Sequence, residues 1–382
     1  MAVGFPAKTT YANGDVFSAS DINDTNGTLN LLTSAQYAAG KNKILNSDFE
    51  IWQRGSSFSN PANEAYLADR FNIVFDGSGS TRTVSRQTFT PGTAPVAGYE
   101  GEYFIRFNQS VAGSGGTYIG FNQRIEDVRT FAGQTATLSF WAKADATRTI
   151  LPNLQQNFGS GGSATVNITS GFTSTNLTTS WARYTFTVSV PSISGKTVGT
   201  SSFLQLFFGF AANTVQTIDI WGVQLEAGST ATAFQTATGT IQGELAACQR
   251  YYYRSLGTAA SSNYGYLTPL GTATSTSNVL VRLGTPVPLR AIPTSVDFSA
   301  VGVSPDDNAI TAVTNITLQV GANANNVTLN LASSGLTQFR PYYAAQNNNS
   351  AHAIIDRGNG EYTSMLKSTY DEMIARNEAS TL

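Results

Sequence analysis

From residue 136 the chain reads Ala-Thr-Leu-Ser-Phe-Trp-Ala-Lys, so Leu138, Phe140 and Ala142 share one parity and Thr137, Ser139 and Trp141 the other. Tyr184, Phe186, Val188 and Val190 alternate in the same way with Arg183, Thr185, Thr187 and Ser189. A repeat of two sends successive side chains to opposite faces of a strand, which is the pattern of a sheet with one buried face. Strand-length runs recur at 43–51, 70–75, 82–89, 103–107, 117–125, 136–143, 184–190, 203–210 and 217–225, separated by Gly, Ser, Asn and Pro. That many strands with no long helical period predict two packed antiparallel sheets over residues 41–240.

The expected class is therefore all-β: an N-terminal extension with a short helix over 1–40, a jelly-roll β-sandwich over 41–240, a second β-sandwich over 241–357 and an amphipathic helix over 358–382. In the extension, Ser20 can cap a short helix with Asp21 in its first turn. Ile22, Leu29 and Leu32 recur at roughly helical spacing, a stripe too narrow to stand without a partner. They are candidate docking or oligomer contacts. The third part opens on a hinge-like Gly243-Glu-Leu-Ala-Ala247 and runs into an aromatic strand at Tyr251-Tyr-Tyr253. Further strands are expected at 279–283, 295–300, 309–318, 327–331, 339–344 and 351–355. Pro286, Pro288 and Pro293 keep 287–292 off any central strand. Tyr362, Met365, Leu366, Tyr370, Met373 and Ile374 then fall at helical spacing, giving the terminal helix one apolar face.

Composition narrows the function. Only 12% of the 382 residues are charged and the net charge is −2, with no run of Lys or Arg. That balance argues against a phosphate-tracking nucleic-acid surface, and neutral exteriors let identical subunits pack without repulsion. The longest apolar stretches are strand-sized, short of the ~20 residues of a membrane-spanning helix. One cysteine, Cys248, and one histidine, His352, exclude an intrachain disulfide, a thiolate cluster and a multi-histidine centre. Both read as structural: Cys248 as a small apolar filler and His352 as a strand residue with satisfied hydrogen bonds. Met1–Pro6 lacks a basic segment followed by an apolar core, so no secretory signal is expected.

Two phrases carry a resemblance. Ile44-Leu-Asn-Ser-Asp-Phe-Glu-Ile-Trp-Gln-Arg-Gly55 resembles the opening strand of a jelly-roll carbohydrate-binding module of the family four and nine type. Ile218-Asp-Ile-Trp-Gly-Val-Gln-Leu-Glu-Ala-Gly-Ser-Thr-Ala-Thr-Ala-Phe234 resembles its closing strand. Residues 136–143 and Trp181-Ala-Arg-Tyr-Thr-Phe186 are similar to the module's core strands. Residues 15–26, 243–253 and 286–293 are similar to segments of phage tail and tail-fibre proteins. Together these cover most of residues 11–355, and 358–382 lie outside them. Members of the module family that hold calcium use a Glu on the opening strand and an Asp on the closing one. Glu50 matches the first, with Asp48 and Asn46 beside it. The second position falls at Trp221 or Gly222, with Asp219 two residues earlier. This departs from a six-to-eight-oxygen calcium shell, so Glu50 and Asp48 are the candidate ligands should calcium bind, and no other cofactor is expected.

Candidate contact residues follow from side-chain chemistry. Indole and phenol rings stack on sugars but are more often core. Trp141 and Trp181 read as core, whereas Trp52, Trp221 and Tyr118 are candidate carbohydrate contacts. Tyr251 and Tyr253 lie in an aromatic concentration suited to a contact between domains or subunits. The adjacent carboxylates Glu126-Asp127, Asp306-Asp307 and Asp371-Glu372 are the one catalytic device in sight. On a strand, neighbours of that kind face opposite sides, away from a shared substrate.

These features lead to the expectation of a non-enzymatic structural and adhesive protein of a phage virion, made in the host cytoplasm. It would be a tail-fibre component that docks by its N-terminus, assembles as a homotrimer with other tail or capsid proteins, and meets a host-surface glycan. The alternative is a capsid decoration or baseplate protein with no glycan affinity. A polysaccharide depolymerase ranks last.

Overall fold

The computed structural model describes residues 39–256 except 97, and 271–356 except 294, 300, 305–310, 319–325, 337, 339–340 and 347–351. The expected extension over 1–38, with Ile22, Leu29 and Leu32, and the expected helix over 358–382 lie outside these residues.

The first part contains twelve strands: β1 (Ser57–Ser59), β2 (Asn72–Phe75), β3 (Thr81–Thr88), β4 (Tyr103–Val111), β5 (Ile119–Glu126), β6 (Thr135–Ala144), β7 (Arg148–Asn157), β8 (Val166–Ile168), β9 (Thr175–Leu177), β10 (Ala182–Ser189), β11 (Phe203–Phe210) and β12 (Gln216–Ala227). One sheet runs β1-β3-β4-β12-β6-β10. The other runs β2-β5-β11-β7-β8, with β9 also on β7. All pairings are antiparallel. The parity read from sequence sets what lies between the sheets. Leu138, Phe140, Ile218 and Ile220 from the first sheet meet Phe121, Leu206, Phe208 and Phe210 from the second in one buried core.

Two sequence expectations change here. The run 43–51 forms turns instead of an opening strand. Asn46 (φ 53°) and Phe49 (φ 60°) are left-handed, a conformation that breaks a ladder. The Asn46 side chain fixes it, with Nδ2 donating to the carbonyls of Ile51 (2.8 Å) and Asp69 (3.0 Å) and Oδ1 accepting from Ile51 N–H (2.9 Å). Strand β7 escapes a sequence reading because Pro152 sits in it. The strand is tolerated there because β9 pairs with residues 148–150 and β8 with 154–156, so the proline falls in the gap between them.

The expected hinge at 243–247 is instead a helix, α1 (Ile241–Gln249), capped by the Thr240 hydroxyl, which accepts from Gly243 N–H at 3.1 Å, and the aromatic strand expected at 251–253 begins only at Tyr253. Glu244 of α1 is buried. It accepts from Asn46 N–H (2.8 Å) and Thr238 N–H (2.7 Å), which ties the helix to the turn at 46.

Beyond α1 come β13 (Tyr253–Leu256), β14 (Gly271–Ala273), β15 (Asn278–Gly284), β16 (Ser295–Ser299), β17 (Val301–Ser304), β18 (Thr311–Ala312), β19 (Asn315–Leu318), β20 (Asn326–Ala332), β21 (Pro341–Gln346) and β22 (His352–Asp356). They form a three-stranded sheet β13-β22-β16 and a seven-stranded sheet β18-β17-β21-β14-β15-β20-β19. Val279, Val281, Val301, Leu329 and Leu331 fill a second core, with Tyr253 and Phe298 packed on it. The chain is thus predominantly β, in two sandwich-like sheet systems. No helix among the described residues is long and apolar enough to cross a membrane.

Candidate functional site

The two outer faces of the first sandwich differ. Trp221 of β12 points away from the interior yet is 0% exposed. Phe89, Tyr99, Trp141 and Phe234 close around it with ring centroids 4.9–5.9 Å away. Trp52 is also buried, its indole N–H donating to the Phe49 carbonyl at 2.6 Å and its ring stacked on Phe58. Both indoles are buried in the chain, Trp221 fully and Trp52 to 6% exposure, so neither is laid open to a stacking sugar. For Trp221 the reason is cover: Phe89, Ala94, Val96, Tyr99 and Phe234 pack over the strand that carries it.

The opposite sheet keeps its outer face open. The residues directed outward are Tyr118 just before β5, Asn122 and Arg124 along β5, Gln205, Phe207 and Gly209 along β11, and Leu151, Asn153 and Gln155 along β7. The register sets them in rows. Phe207 lies between Asn122 and Asn153, Gln205 between Arg124 and Gln155, and Gly209 between Gly120 and Leu151. Phe207 is half-buried, while Tyr118 and Leu151 are 42% and 45% exposed.

Glycine makes room for this ring. A methyl on Gly209 would stand 3.0 Å from Phe207 Cε1, and one on Gly120 would stand 2.9 Å from Cε2. The ring therefore lies over the two glycines. Tyr118 meets it edge to face at 6.5 Å and 78°. Asp76 holds the Tyr118 backbone, accepting from its N–H at 2.8 Å and from the Thr117 hydroxyl at 2.6 Å. These bonds keep the Asp76 carboxyl below the usual range. Around the rings lie amides. Gln155 donates to Asn167 at 2.8 Å, and Oδ1 of Asn122, buried in the floor, accepts no hydrogen bond. A small apolar platform ringed by amide donors and acceptors can stack a flat polyhydroxylated ring and hydrogen-bond its rim.

Tyr118 is among the contact residues expected from sequence, whereas Phe207 is hidden within the apolar run 203–210. The available signal was parity. Leu204, Leu206, Phe208 and Phe210 take the buried side, leaving Phe207 as an aromatic among Gln205 and Gly209 on the other.

A second feature is an acidic cleft of about 420 Å³ lined by Asp48, Glu50, Tyr99, Glu102 and Glu244 among others. Burial pushes Asp48 up to about 6 and Glu50 up to about 7. Asp48 accepts from the Tyr99 hydroxyl at 3.0 Å, and Glu50 accepts from the N–H groups of Glu102 (3.0 Å) and Tyr103 (3.3 Å). The calcium ligands that the family resemblance suggests do not form a shell. Asn46 spends its side-chain oxygen on Ile51, and Asp219 is held by Arg106 (2.7 Å) and Lys143 (3.7 Å) on neighbouring strands. No group of three or more His, Cys, Asp or Glu among the described residues could hold a metal ion.

The two tyrosines expected at contacts pack within the chain. Tyr251 is 8% exposed under the Arg70 guanidinium, 3.4 Å from its ring centroid, and burial pushes its phenol up to about 12. Tyr253 joins the second core. Tyr252 beside them stacks on Arg54 at 3.6 Å, and its carbonyl accepts from Gln53 at 3.0 Å. The aromatic run after α1 therefore fastens that segment to the first sandwich. Cys248 is buried and free, and burial raises its thiol well above its usual value. His352 pairs through its backbone with Leu256 and Ser299.

No family model matches the chain, and no curated protein does. Among solved structures, part of the chain is similar to a CBM4 structure, with 22% identity over 48% of this chain and 99% of that one and a TM-score of 0.30. A family 22 carbohydrate-binding module of Clostridium thermocellum Xyn10B gives 15% identity over 51% of this chain and 98% of that one, TM-score 0.30. The enzymatically active domain of bacteriophage CBA120 tailspike protein 4 gives 16% identity over 49% of this chain and 22% of that one, TM-score 0.31.

Proposed function

We propose that this chain is a non-enzymatic glycan-binding adhesin subunit of a phage tail, holding sugar on the open face of the β2-β5-β11-β7-β8 sheet. The observation that carries the glycan part is the Phe207 ring laid over Gly120 and Gly209, with Tyr118 at its edge and amides around it. Such a surface binds weakly as a single copy, and repetition on a homotrimeric fibre raises avidity by ~10²–10⁴. The tail assignment is supported by the tail-protein phrases at 15–26, 243–253 and 286–293. The test is an immobilised panel of host-surface and plant-type oligosaccharides probed with the full chain and with Phe207→Ala. The reading expects binding that the substitution abolishes while the melting temperature stays put. Labelling of the particle with an antibody to the chain decides the location. Staining of the tail at low copy number supports a fibre, and staining in proportion to capsid copy number contradicts it.

A further inference from the structure

We infer that residues 361–375 form a helix that lays its apolar side across α1 and closes the groove beside it. The inference is independent of the glycan-binding reading above. Helix α1 carries two opposed stripes. Glu244 and Cys248, one turn apart, are buried. Ile241 and Leu245, also one turn apart, are 51% and 38% exposed, and side chains four residues apart share a helix face. They open onto a mostly apolar groove of about 370 Å³, lined also by Glu50, Ile51, Trp52, Gln53 and Arg254.

The path of the chain points to the occupant. Strand β13 leads away from α1, and β22 pairs with it antiparallel, Ile354 opposite Arg254 and Ile355 opposite Tyr253. β22 therefore runs back toward α1 and ends at Asp356. Its last residues stand across from Arg254, which lines the groove, and from Tyr253, whose neighbour Tyr252 is tied to groove residue Gln53 by a 3.0 Å hydrogen bond. Residues 357–382 thus start beside the groove. Gly358-Asn-Gly360 lets the chain turn there.

The sequence beyond that turn matches the groove. Tyr362, Met365, Leu366, Tyr370, Met373 and Ile374 recur at helical spacing and need an apolar partner. As a helix this stripe spans about 18 Å, enough to cover the about 13 Å of α1. Packed at the about 8–10 Å typical of helix pairs, it buries Ile241 and Leu245 and joins β22 to α1. Residues 1–38 also approach α1, because Gly40 N–H donates to the Ala237 carbonyl at 2.6 Å. Their stripe of Ile22, Leu29 and Leu32 is narrower than that of 362–374 and fits the exposed face less well.

The experiment uses the full chain and two readouts. In the first, a photoreactive benzoylphenylalanine replaces Leu245, and the peptide it captures is identified by mass spectrometry. Capture within 361–375 at the mass of one chain supports the inference. Capture of residues 1–38, capture at twice the chain mass, or capture of no peptide overturns it. In the second, peroxide oxidation of Met365 and Met373 is followed in the native chain, in the chain unfolded in urea and in the Ile241→Asp, Leu245→Asp variant. Oxidation is expected to be about fivefold slower in the native chain than in urea and to return to the unfolded rate in the variant, with the far-UV circular dichroism of the strands unchanged. Equal rates in the native and unfolded chains, or slow oxidation that persists in the variant, overturns it. If the variant fails to fold, the capture at Leu245 still decides.

Discussion

The ring of Phe207 and the backbone of Gly120, on adjacent strands, are so close that a methyl on the glycine would stand 2.9 Å from Phe207 Cε2. The same methyl would clash with the Phe208 carbonyl. Gly120→Ala is therefore expected to push β5 from β11 and destabilise the first sandwich by about 3 kcal/mol. Phe207→Ala, on the solvent side, should change stability by less than about 1 kcal/mol. Urea titrations of the two variants check the contrast.

Asn42 is a buried latch. Its Nδ2 donates to the carbonyls of Val223 (2.9 Å) and Gln235 (3.0 Å), and its Oδ1 accepts from Ile44 (3.0 Å) and Leu225 (3.1 Å). It thereby joins residues 42–44 to the bulge of β12, where the register shifts between Trp221 and Gln224. Asn42→Ala leaves several buried backbone groups unpaired, each costing about 1–3 kcal/mol. A loss of about 3 kcal/mol or more in chemical denaturation is expected.

The acidic cleft predicts a pH dependence. Asp48 and Glu50 hold their protons more tightly in the folded chain than in the unfolded one, with values of about 6 and 7 against ordinary values of 3.8 and 4.5. Their contribution to stability is therefore full below about pH 4 and is lost as the pH rises through 6 to 7. Asp48→Asn and Glu50→Gln should each raise the melting temperature by a few degrees at pH 8 and leave it nearly unchanged at pH 4. Melting curves of the variants across that range test the sign.

Arg54 is 1% exposed, 3.5 Å from the equally buried Asp69 and stacked on Tyr252. Arg54→Met removes one partner of a buried ion pair, a change that costs about 3–5 kcal/mol. Hydrogen exchange should show the loss concentrated in α1 and residues 250–254, which this contact fastens to the first sandwich.

Much of the strand content was legible because burial on one face imposes a parity that survives in the residue order, as along 136–143 and 203–210. What escaped was decided at a distance. Residues 43–51 carry strand-like residues but are bent by the side chain of Asn46. The helix at 241–249 has a weak apolar period of its own and is held by buried Glu244. The site was less legible. Trp221 has the parity of an outward residue, and it is core because Phe89, Tyr99 and Phe234 from distant segments fold over it. Phe207 sits inside the apolar run 203–210, where only parity separates it from its buried neighbours, and its role as a platform further depends on β5 bringing Gly120 beneath its ring.

Backbone amide chemical-shift mapping during titration with an oligosaccharide that the chain binds tests the central claim most directly. The largest shifts should fall on Tyr118, Asn122, Gln205, Phe207, Asn153 and Gln155, across β5, β11 and β7. Shifts gathered instead around Asp48, Glu50 and Glu102, or on the second sandwich, would contradict it.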